Sequence, residues 1–233
     1  MFDCRIANNG FSLFGSFGFM KQRRDDIKAH PERFNSHGII LFCGLQGSGK
    51  SLTAFRLINR LYQEKNDLQI IANVGLSFAD VVPYNGLQTV LDVTAEQGQR
   101  GTILFLDEIA NQFPSTISKE ISDDWLTITN MMRKRRLLII GTTPVFSRLV
   151  KPFREQFEYV CVCSQKFGGL VQSNIWYRCN VETTVLGDSD QENTHNMEIA
   201  KRQIFLITPD DVNRYDTAEI VRVVKSSDRR ARA

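Results

Sequence analysis

The amino-acid sequence predicts an α/β fold in which a mostly parallel sheet is flanked by helices. Short apolar runs of strand length recur at residues 38–43, 68–72, 102–107 and 137–141. Such continuous runs are typical of parallel strands that are covered on both faces. Between them, residues 50–62 and 122–135 repeat apolar side chains at helical spacing. A chain of 233 residues is long enough for one such core with some appendages.

Each predicted element has its own local signal. Gly38–Cys43 is an apolar run between glycines and predicts the first strand, and Leu68–Ala72 predicts the second. Residues 77–99 are interpreted as helix or loop, because Pro83 and Gly86 interrupt them. The third strand, at residues 102–107, ends in an acid, and the fourth covers Leu137–Gly141.

The pattern changes after Pro152. Residues 159–163 and 171–181 look like strands, and a turn at Gly168-Gly169 separates them. This predicts an antiparallel pair added to the edge of the sheet. Residues 187–197 are polar and predict a mobile loop, followed by a last strand at Ile204–Ile207 and a basic tail. We therefore divide the chain into an N-terminal extension (1–37), a core (38–186) and a C-terminal appendage (187–233).

Composition narrows the class of protein. Apolar residues make up 42% and charged residues 24%, which is typical of a globular chain, and a formal charge of +3 does not by itself indicate nucleic-acid binding. No run reaches the roughly 18–20 apolar residues that span a bilayer. We therefore expect a protein without a transmembrane segment.

The five cysteines indicate a reducing cytoplasm as the compartment. Cys161 and Cys163 are expected on one strand face. A zinc site with Cys179 is conceivable, but the C-x-C spacing and the missing fourth ligand favour buried reduced thiols, as in a reducing cytoplasm. Residues 10–20 are rich in phenylalanine and precede a basic stretch. They would dock on a membrane surface or, as we favour, pack on the chain's own domain or a neighbouring subunit.

The most specific motif follows the first strand. Its pattern is G-x-x-x-x-G-K-[ST], which is matched at every fixed position. Glycines let backbone N–H groups wrap a phosphate, and the N-terminus of the following helix adds partial positive charge. The lysine is expected to reach the β- and γ-phosphates of ATP, and the serine hydroxyl to ligate Mg²⁺. The candidate nucleotide-binding residues are Gly44, Leu45, Gln46, Gly47, Ser48, Gly49, Lys50 and Ser51.

Two adjacent acids follow the third strand. Asp107 occupies the usual place of the carboxylate that holds Mg²⁺. Glu108 would then polarise the attacking water as a general base. The alternative is an exposed acid pair that opens a helix, which the preceding apolar strand makes less favourable.

Two further groups are candidates for catalysis. Thr142 and Thr143 end the fourth strand, where one hydroxyl would sense the nucleotide or orient the water; a plain threonine cap before Pro144 fits equally well. Arg133, Lys134, Arg135 and Arg136 form the strongest basic run. They would contact DNA phosphates, supply an arginine finger to a neighbouring subunit, or simply be a solvated helix end.

Together these segments resemble a known family. The phosphate loop, Asn73-Val-Gly-Leu76, Leu106-Asp-Glu-Ile-Ala-Asn-Gln-Phe-Pro114, the basic run, Ile139-Ile-Gly-Thr-Thr-Pro144 and Phe146-Ser-Arg-Leu-Val150 occur in this order. The order resembles the zonular occludens toxin family, the assembly ATPases of filamentous phages, and the related viral genome-packaging ATPases of the FtsK/HerA group. The resemblance covers residues 38–165.

The resemblance implies a RecA/FtsK-HerA-like fold and a ring-forming, hexameric motor that hydrolyses ATP to move DNA or extrude a phage, in the host cytoplasm or associated with a virion. It also implies capsid, portal or membrane-anchored assembly proteins as partners. Thr143 stands where the family commonly has glutamine, and the membrane-spanning segment of the toxin-like proteins has no counterpart here. The missing membrane-spanning segment favours a packaging or transfer motor over a membrane-embedded extrusion protein, whereas the Thr143 departure leaves the identity of the polar sensor open.

Other classes share part of this pattern. A GTPase would need an Asn-Lys-x-Asp string, which the sequence lacks. A small-molecule or nucleotide kinase also uses a phosphate loop but usually lacks the adjacent Asp-Glu pair. An ATP-gated structural component of a virion would share every motif.

Overall fold

The computed structural model describes residues 36–65, 68–78, 80–94, 100–115, 123–178 and 198–209, together with Ala29, Arg33, Phe34 and Asp211. The phenylalanine-rich segment 10–20, the polar loop at 187–197, Cys179 and the basic tail lie outside these residues. The predicted boundaries at residues 37 and 186 therefore stay predictions.

The described residues build one eight-stranded sheet. Its strands lie in the order β3-β2-β4-β5-β1-β6-β7-β8. The six strands from β3 to β6 run parallel, and β7 and β8 complete the sheet by antiparallel pairing. The predicted fold class is thus confirmed, including the antiparallel addition on the C-terminal side. The strands are β1 Gly38–Cys43, β2 Leu68–Ala72, β3 Val81–Pro83, β4 Gly101–Leu106, β5 Leu137–Thr143, β6 Phe157–Lys166, β7 Val171–Arg178 and β8 Glu198–Leu206.

Helices cover both faces of the parallel strands. On one face α1 buries Ala54, Phe55 and Ile58 against the strands. On the other face Trp125 and Ile128 of α3 join a second apolar cluster. Successive strand residues point to opposite faces, so β1, β4 and β5 are buried on both sides. The helices are α1 Lys50–Glu64, α2 Leu87–Val93, α3 Asp123–Met131 and α4 Lys151–Arg154.

The structure corrects three predictions. Residues 77–99 are not only helix or loop, because β3 lies within them; its Pro83 is tolerated since β3 is an edge strand. The last strand begins at Glu198 rather than Ile204, and its charged first half resembles the usual sequence of an exposed edge. The helix predicted over 122–135 ends at Met131, and the basic run forms a turn instead.

The start of the sheet depends on a residue that precedes β1. The Phe34 side chain is fully buried. It lies against Gly101 at the beginning of β4, where an added Cβ would come within 2.3 Å of the Phe34 Cβ. Gly101 is therefore glycine because Phe34 occupies the space that any side chain would need.

The cysteine pair lies as its spacing predicts. Cys161 and Cys163 are buried on the same face of β6, with their Sγ atoms 3.9 Å apart. Both are thiols that form no disulfide, and so is the buried Cys43. Across the residues that the structure describes, no helix is long and apolar enough to cross a membrane.

Candidate nucleotide site

The phosphate loop lies between β1 and α1, and its glycines are required by backbone geometry. Gly47 and Gly49 have φ angles of 74° and 79°, in the left-handed region that favours glycine. A turn closes the loop through the Ser48 N–H, which donates to the Leu45 carbonyl at 3.0 Å. Lys50, the first residue of α1, is buried, and its Nζ donates to the same carbonyl at 3.1 Å. The loop thus brings its lysine and its N–H groups to one place.

Asp107 is the centre of the hydrogen-bond network at the end of β4. Its Oδ1 accepts from the Ser51 Oγ at 2.8 Å and from the Thr142 Oγ1 at 2.6 Å. These groups come from α1, β4 and β5, and they meet because parallel strands present their carboxyl ends at one edge of the sheet. The structure therefore brings together the phosphate loop and the acid that sequence analysis paired with it.

Asn73 fixes the backbone of Asp107 and was not predicted as a site residue. Its side-chain Nδ2 donates to the Asp107 carbonyl at 2.8 Å, and its Oδ1 accepts from the Asp107 N–H at 2.8 Å. Asn73 is buried at the end of β2, beside β4. The signal in the sequence was a polar residue that directly follows a buried strand, and Asn73 had been used only as part of a segment that marks the resemblance.

Glu108 is held in an unusual backbone conformation. Its φ and ψ angles are 54° and 50°, which is left-handed and rare outside glycine, asparagine and aspartate. The Glu108 N–H donates to the Thr142 Oγ1 at 2.9 Å. Strain of this kind persists where the surroundings impose it, often at functional sites. Thr142 therefore orients both adjacent acids through one hydroxyl.

Burial raises the pKa of the Glu108 carboxyl above its ordinary value, and the neighbouring charge of Asp107 raises it further. The positive charges of Lys50 and Arg148 act in the opposite direction on this pKa. The carboxyl is only half-buried, so solvent screens all three charges. A carboxyl with a raised pKa is a better base, which suits proton acceptance from water.

Arg148 is the second residue that sequence analysis missed as a site candidate. It is exposed and lies after β5, on the same edge of the sheet as Glu108. Two backbone contacts join its loop to the one after Glu108: Leu149 bridges Pro114, and the Val150 N–H donates to the Phe113 carbonyl at 3.1 Å. The Phe-Ser-Arg-Leu-Val segment had been used only as a mark of resemblance.

Thr143 lies beside Thr142, but its hydroxyl makes a different contact. Strand side chains alternate between faces, and the Thr143 Oγ1 donates to the Val145 carbonyl at 3.1 Å. Both threonines are fully buried. The structure thus joins Thr142, and not Thr143, to the two acids, while the predicted sensor role of Thr143 stays a prediction.

The basic run lies at the opposite edge of the sheet. Arg133, Lys134, Arg135 and Arg136 precede β5, whereas the acids follow β4. Arg136 marks this edge, since its carbonyl accepts from the Thr102 N–H at the start of β4. Seven strand residues at about 3.3 Å each separate the two edges by roughly 20 Å. These arginines therefore do not meet the phosphate loop of their own subunit.

The members of the basic run differ in their contacts. The Arg135 Nη1 donates to the buried Thr94 Oγ1 at 2.6 Å, which ties the turn to the end of α2. Arg136 adopts a left-handed φ of 48° and is half-buried. Arg133 and Lys134 are exposed. Exposed Arg133 and Lys134 are therefore better placed than Arg135 to contact a large partner, because Arg135 would first have to break its bond to Thr94.

The oxygen atoms at the site fit a hard divalent cation. A serine hydroxyl and a carboxylate oxygen 2.8 Å apart belong to the donor type that Mg²⁺ prefers. The cation usually binds through one or two such ligands together with phosphate oxygens. Ser51 and Asp107 are therefore the residues that would hold it.

A phosphate loop, a strand-end acid bonded to its serine and a second acid next in sequence define a P-loop nucleoside triphosphatase. Residues 40–164 match the family described as "ATPase family associated with various cellular activities (AAA)". The chain belongs to this family. No curated protein matches the sequence.

Two solved structures show the same fold. The N-terminal domain of zonular occludens toxin from Neisseria meningitidis superposes with a TM-score of 0.56 at 13% identity, over 77% of this chain and 99% of that one. The genome packaging NTPase B204 from Sulfolobus turreted icosahedral virus 2, in complex with AMP, gives 0.50 at 13% identity, over 71% and 97%. Both are proteins to which the sequence showed a resemblance, and the likeness holds at the level of fold.

Proposed function

We propose that this protein is an ATP-hydrolysing motor that drives DNA translocation, either to package a viral genome or to export phage or mobile-element DNA. The observation that carries the proposal is the single network that joins Ser51, Asp107, Thr142 and Glu108. Such a network couples nucleotide binding to a positioned base. A motor needs that coupling, because hydrolysis must follow binding in a fixed order.

Each residue then has a defined task. Lys50 and the backbone of residues 44–49 would hold the phosphates of ATP, and Ser51 with Asp107 would hold Mg²⁺. Magnesium, when bound, neutralises charge that develops on the phosphates. Glu108 would accept a proton from the attacking water, while Thr142 keeps the backbone of Glu108 in place. Thr143 remains a candidate sensor, and Arg148 a candidate cation beside Glu108.

The protein would assemble into a ring, a hexamer as the resemblance implies, and the placement of the arginines supports this. A finger for this site has to come from a neighbouring subunit if it comes from the basic run, because the run lies at the far edge of its own sheet. Of the three proposed finger residues, Arg133 is exposed, whereas Arg135 and Arg136 are partly buried. Exposed Arg133 and Lys134 would equally suit contact with DNA phosphates, which is independent of base sequence.

The likeness to a genome packaging NTPase supports the choice of DNA as cargo. Capsid, portal or membrane-anchored assembly proteins are the partners that this role would require. A small-molecule or nucleotide kinase is the second candidate, since it shares the phosphate loop, but it usually lacks an acid directly next to the magnesium acid. A structural component of a virion would bind ATP without turning it over.

The test measures ATP turnover with and without DNA, for the wild type and for Glu108→Gln. We expect DNA to stimulate the wild type, and the variant to bind ATP while turnover falls by roughly 10²-fold or more. Glu155→Gln, which changes an acid on the loop before β6, serves as the matched control. Turnover that ignores DNA, from a protein that stays monomeric with ATP and Mg²⁺, would reject the motor and favour the kinase.

A further inference from the structure

Strands β6 and β7 pack closely against the phosphate loop. An added Cβ on Gly44 would lie 2.6 Å from the Cys163 carbonyl of β6. An added Cβ on Gly49 would lie 2.1 Å from the Gln172 Oε1 of β7. Two glycines of the loop are thus needed partly because β6 and β7 approach it so closely.

Gln172 makes the direct connection. Its side chain is fully buried, and its Nε2 donates to the Ser48 carbonyl at 3.0 Å and to the Asn174 Oδ1 at 2.8 Å. Asn174, also buried, reaches the Thr53 Oγ1 of α1 at 3.5 Å. The strand therefore contacts both the loop and the helix that the loop opens, through residues more than 120 positions away in sequence.

The network is not fully satisfied. Within the described residues, the Ser48 Oγ and the Gln172 Oε1 are buried and have no hydrogen-bond partner. An unpaired buried polar atom is costly. A small shift of the loop that gave these atoms hydrogen-bond partners would stabilise the network. We therefore expect the geometry of the network to depend on what the loop binds.

A second contact fastens β8 to α1. Arg56 lies over the Phe205 ring of β8, with its Cζ 4.1 Å from the ring centroid. Its Nη1 also lies 3.4 Å from the Asp211 Oδ2. Movement of the phosphate loop and the first turns of α1 therefore acts on β7 and β8 at two places.

We propose that Gln172 is a positioning residue of the nucleotide site: by holding the Ser48 carbonyl, it sets the conformation of the phosphate loop and couples nucleotide binding to the strands β7 and β8. The inference rests on nucleotide binding at this loop and not on DNA movement. Coupling is reciprocal, so nucleotide must also change the surroundings of β7.

The experiment compares Gln172→Met with Gln203→Met in the full chain. Methionine keeps the length of glutamine but removes both amide groups, and Gln203 is paired with Asn174 one strand farther from the loop. We expect Gln172→Met to weaken binding of Mg²⁺·ATPγS by about tenfold, the effect of one or two hydrogen bonds. Gln203→Met should bind as the wild type does. Unchanged affinity in Gln172→Met would overturn the inference, even if its melting temperature falls.

Trp176 provides a readout of the coupling. The chain has two tryptophans, and Trp176 of β7 packs edge-on against Phe42 with centroids 5.4 Å apart. In Trp125→Phe, nucleotide should change the emission of Trp176, and Gln172→Met should reduce that change at saturating nucleotide. An emission change that survives the loss of Gln172 in full would contradict the coupling.

Should Gln172→Met fail to fold, Asn174→Leu removes the second acceptor and should weaken nucleotide binding by about threefold. Unaltered binding in a folded Asn174→Leu would count against the network. A wild type that binds ATP but ignores DNA would leave the inference standing while the motor fails.

Discussion

The two edges of the parallel sheet differ in how much of their chemistry is complete within one subunit. At the carboxyl edge, Ser51, Asp107 and Thr142 satisfy one another through hydrogen bonds of 2.6 to 2.8 Å. At the amino edge, Arg133 and Lys134 are exposed. The carboxyl edge is thus organised within one subunit, whereas the amino edge exposes positive charge to solvent and to any partner.

The largest expected effect comes from replacing a lysine by alanine at the carboxyl edge, compared with the same replacement at the amino edge. Lys50→Ala should reduce ATP turnover by roughly 10³-fold or more, because it removes a buried cation that faces the phosphates. Lys134→Ala should leave turnover without DNA unchanged. Steady-state turnover of both variants, with circular dichroism to verify folding, checks the pair. Normal turnover in Lys50→Ala would show that the hydrolysed nucleotide does not bind at this loop.

The next comparison stays within the carboxyl edge and uses adjacent residues. Thr142→Val loses the bonds to Asp107 and to the Glu108 N–H, so turnover should fall by roughly 10²-fold. Thr143→Val loses only the bond to the Val145 carbonyl and should be affected much less. The measurement is kcat at saturating ATP. A larger loss in Thr143→Val would show that the sequence-based choice of sensor was the right one.

Within the amino edge, Arg133 and Arg135 should separate function from stability. Arg135→Ala breaks the bond to buried Thr94 and should cost about 1–2 kcal/mol in the free energy of unfolding. Arg133→Ala should unfold as the wild type does. If Arg133 contacts DNA, the salt slope of binding falls by about one unit. If Arg133 is a finger, mixing the Arg133→Ala variant with Glu108→Gln subunits restores turnover. If Arg133→Ala changes neither the salt slope nor the turnover of mixed subunits, Arg133 is a solvated side chain.

The smallest effect concerns the pH dependence of stability at Glu108. Its raised pKa means that the folded protein keeps this proton to a higher pH than the unfolded chain. Stability is therefore lost as the pH rises from the ordinary glutamate pKa through the raised one. Glu108→Gln does not titrate, so its melting temperature should exceed that of the wild type above this window and match it below. A constant difference at every pH would instead indicate a packing effect.

Sequence patterns predicted the parallel strands because each is a continuous apolar run, and they predicted the phosphate loop because its spacing is specific. They did not reveal β3 or the first half of β8, where edge position permits proline and charge. The contributions of Asn73 and Gln172 were missed because they depend on hydrogen bonds between residues 34 and 124 positions apart. No local pattern records a pairing over such distances. Thr142 was a candidate together with Thr143, but the sequence did not show which of the two contacts the acids.

The basic run shows a different limit. Its apolar neighbours Trp125, Ile128, Met131 and Met132 have helical spacing, which extended the predicted helix too far. The chain instead turns, because the Leu137 N–H bonds to the Met132 carbonyl at 2.9 Å and Arg136 takes a left-handed conformation. Periodicity reports which side chains are buried, and a tight turn can bury Met132 as well as a helix does.

Phe34 sets a practical limit on how short a working version of this protein can be made. A polypeptide that starts at Gly38, where the first strand begins, would lack the ring that rests on Gly101. Removing a fully buried phenylalanine side chain typically costs about 3–5 kcal/mol, which is a large part of the stability of an ordinary domain. Trimming or fusion is therefore safer upstream of residue 34, and alanine at Gly101 would be poorly tolerated, because its Cβ would collide with the Cβ of Phe34 as well as with the ring.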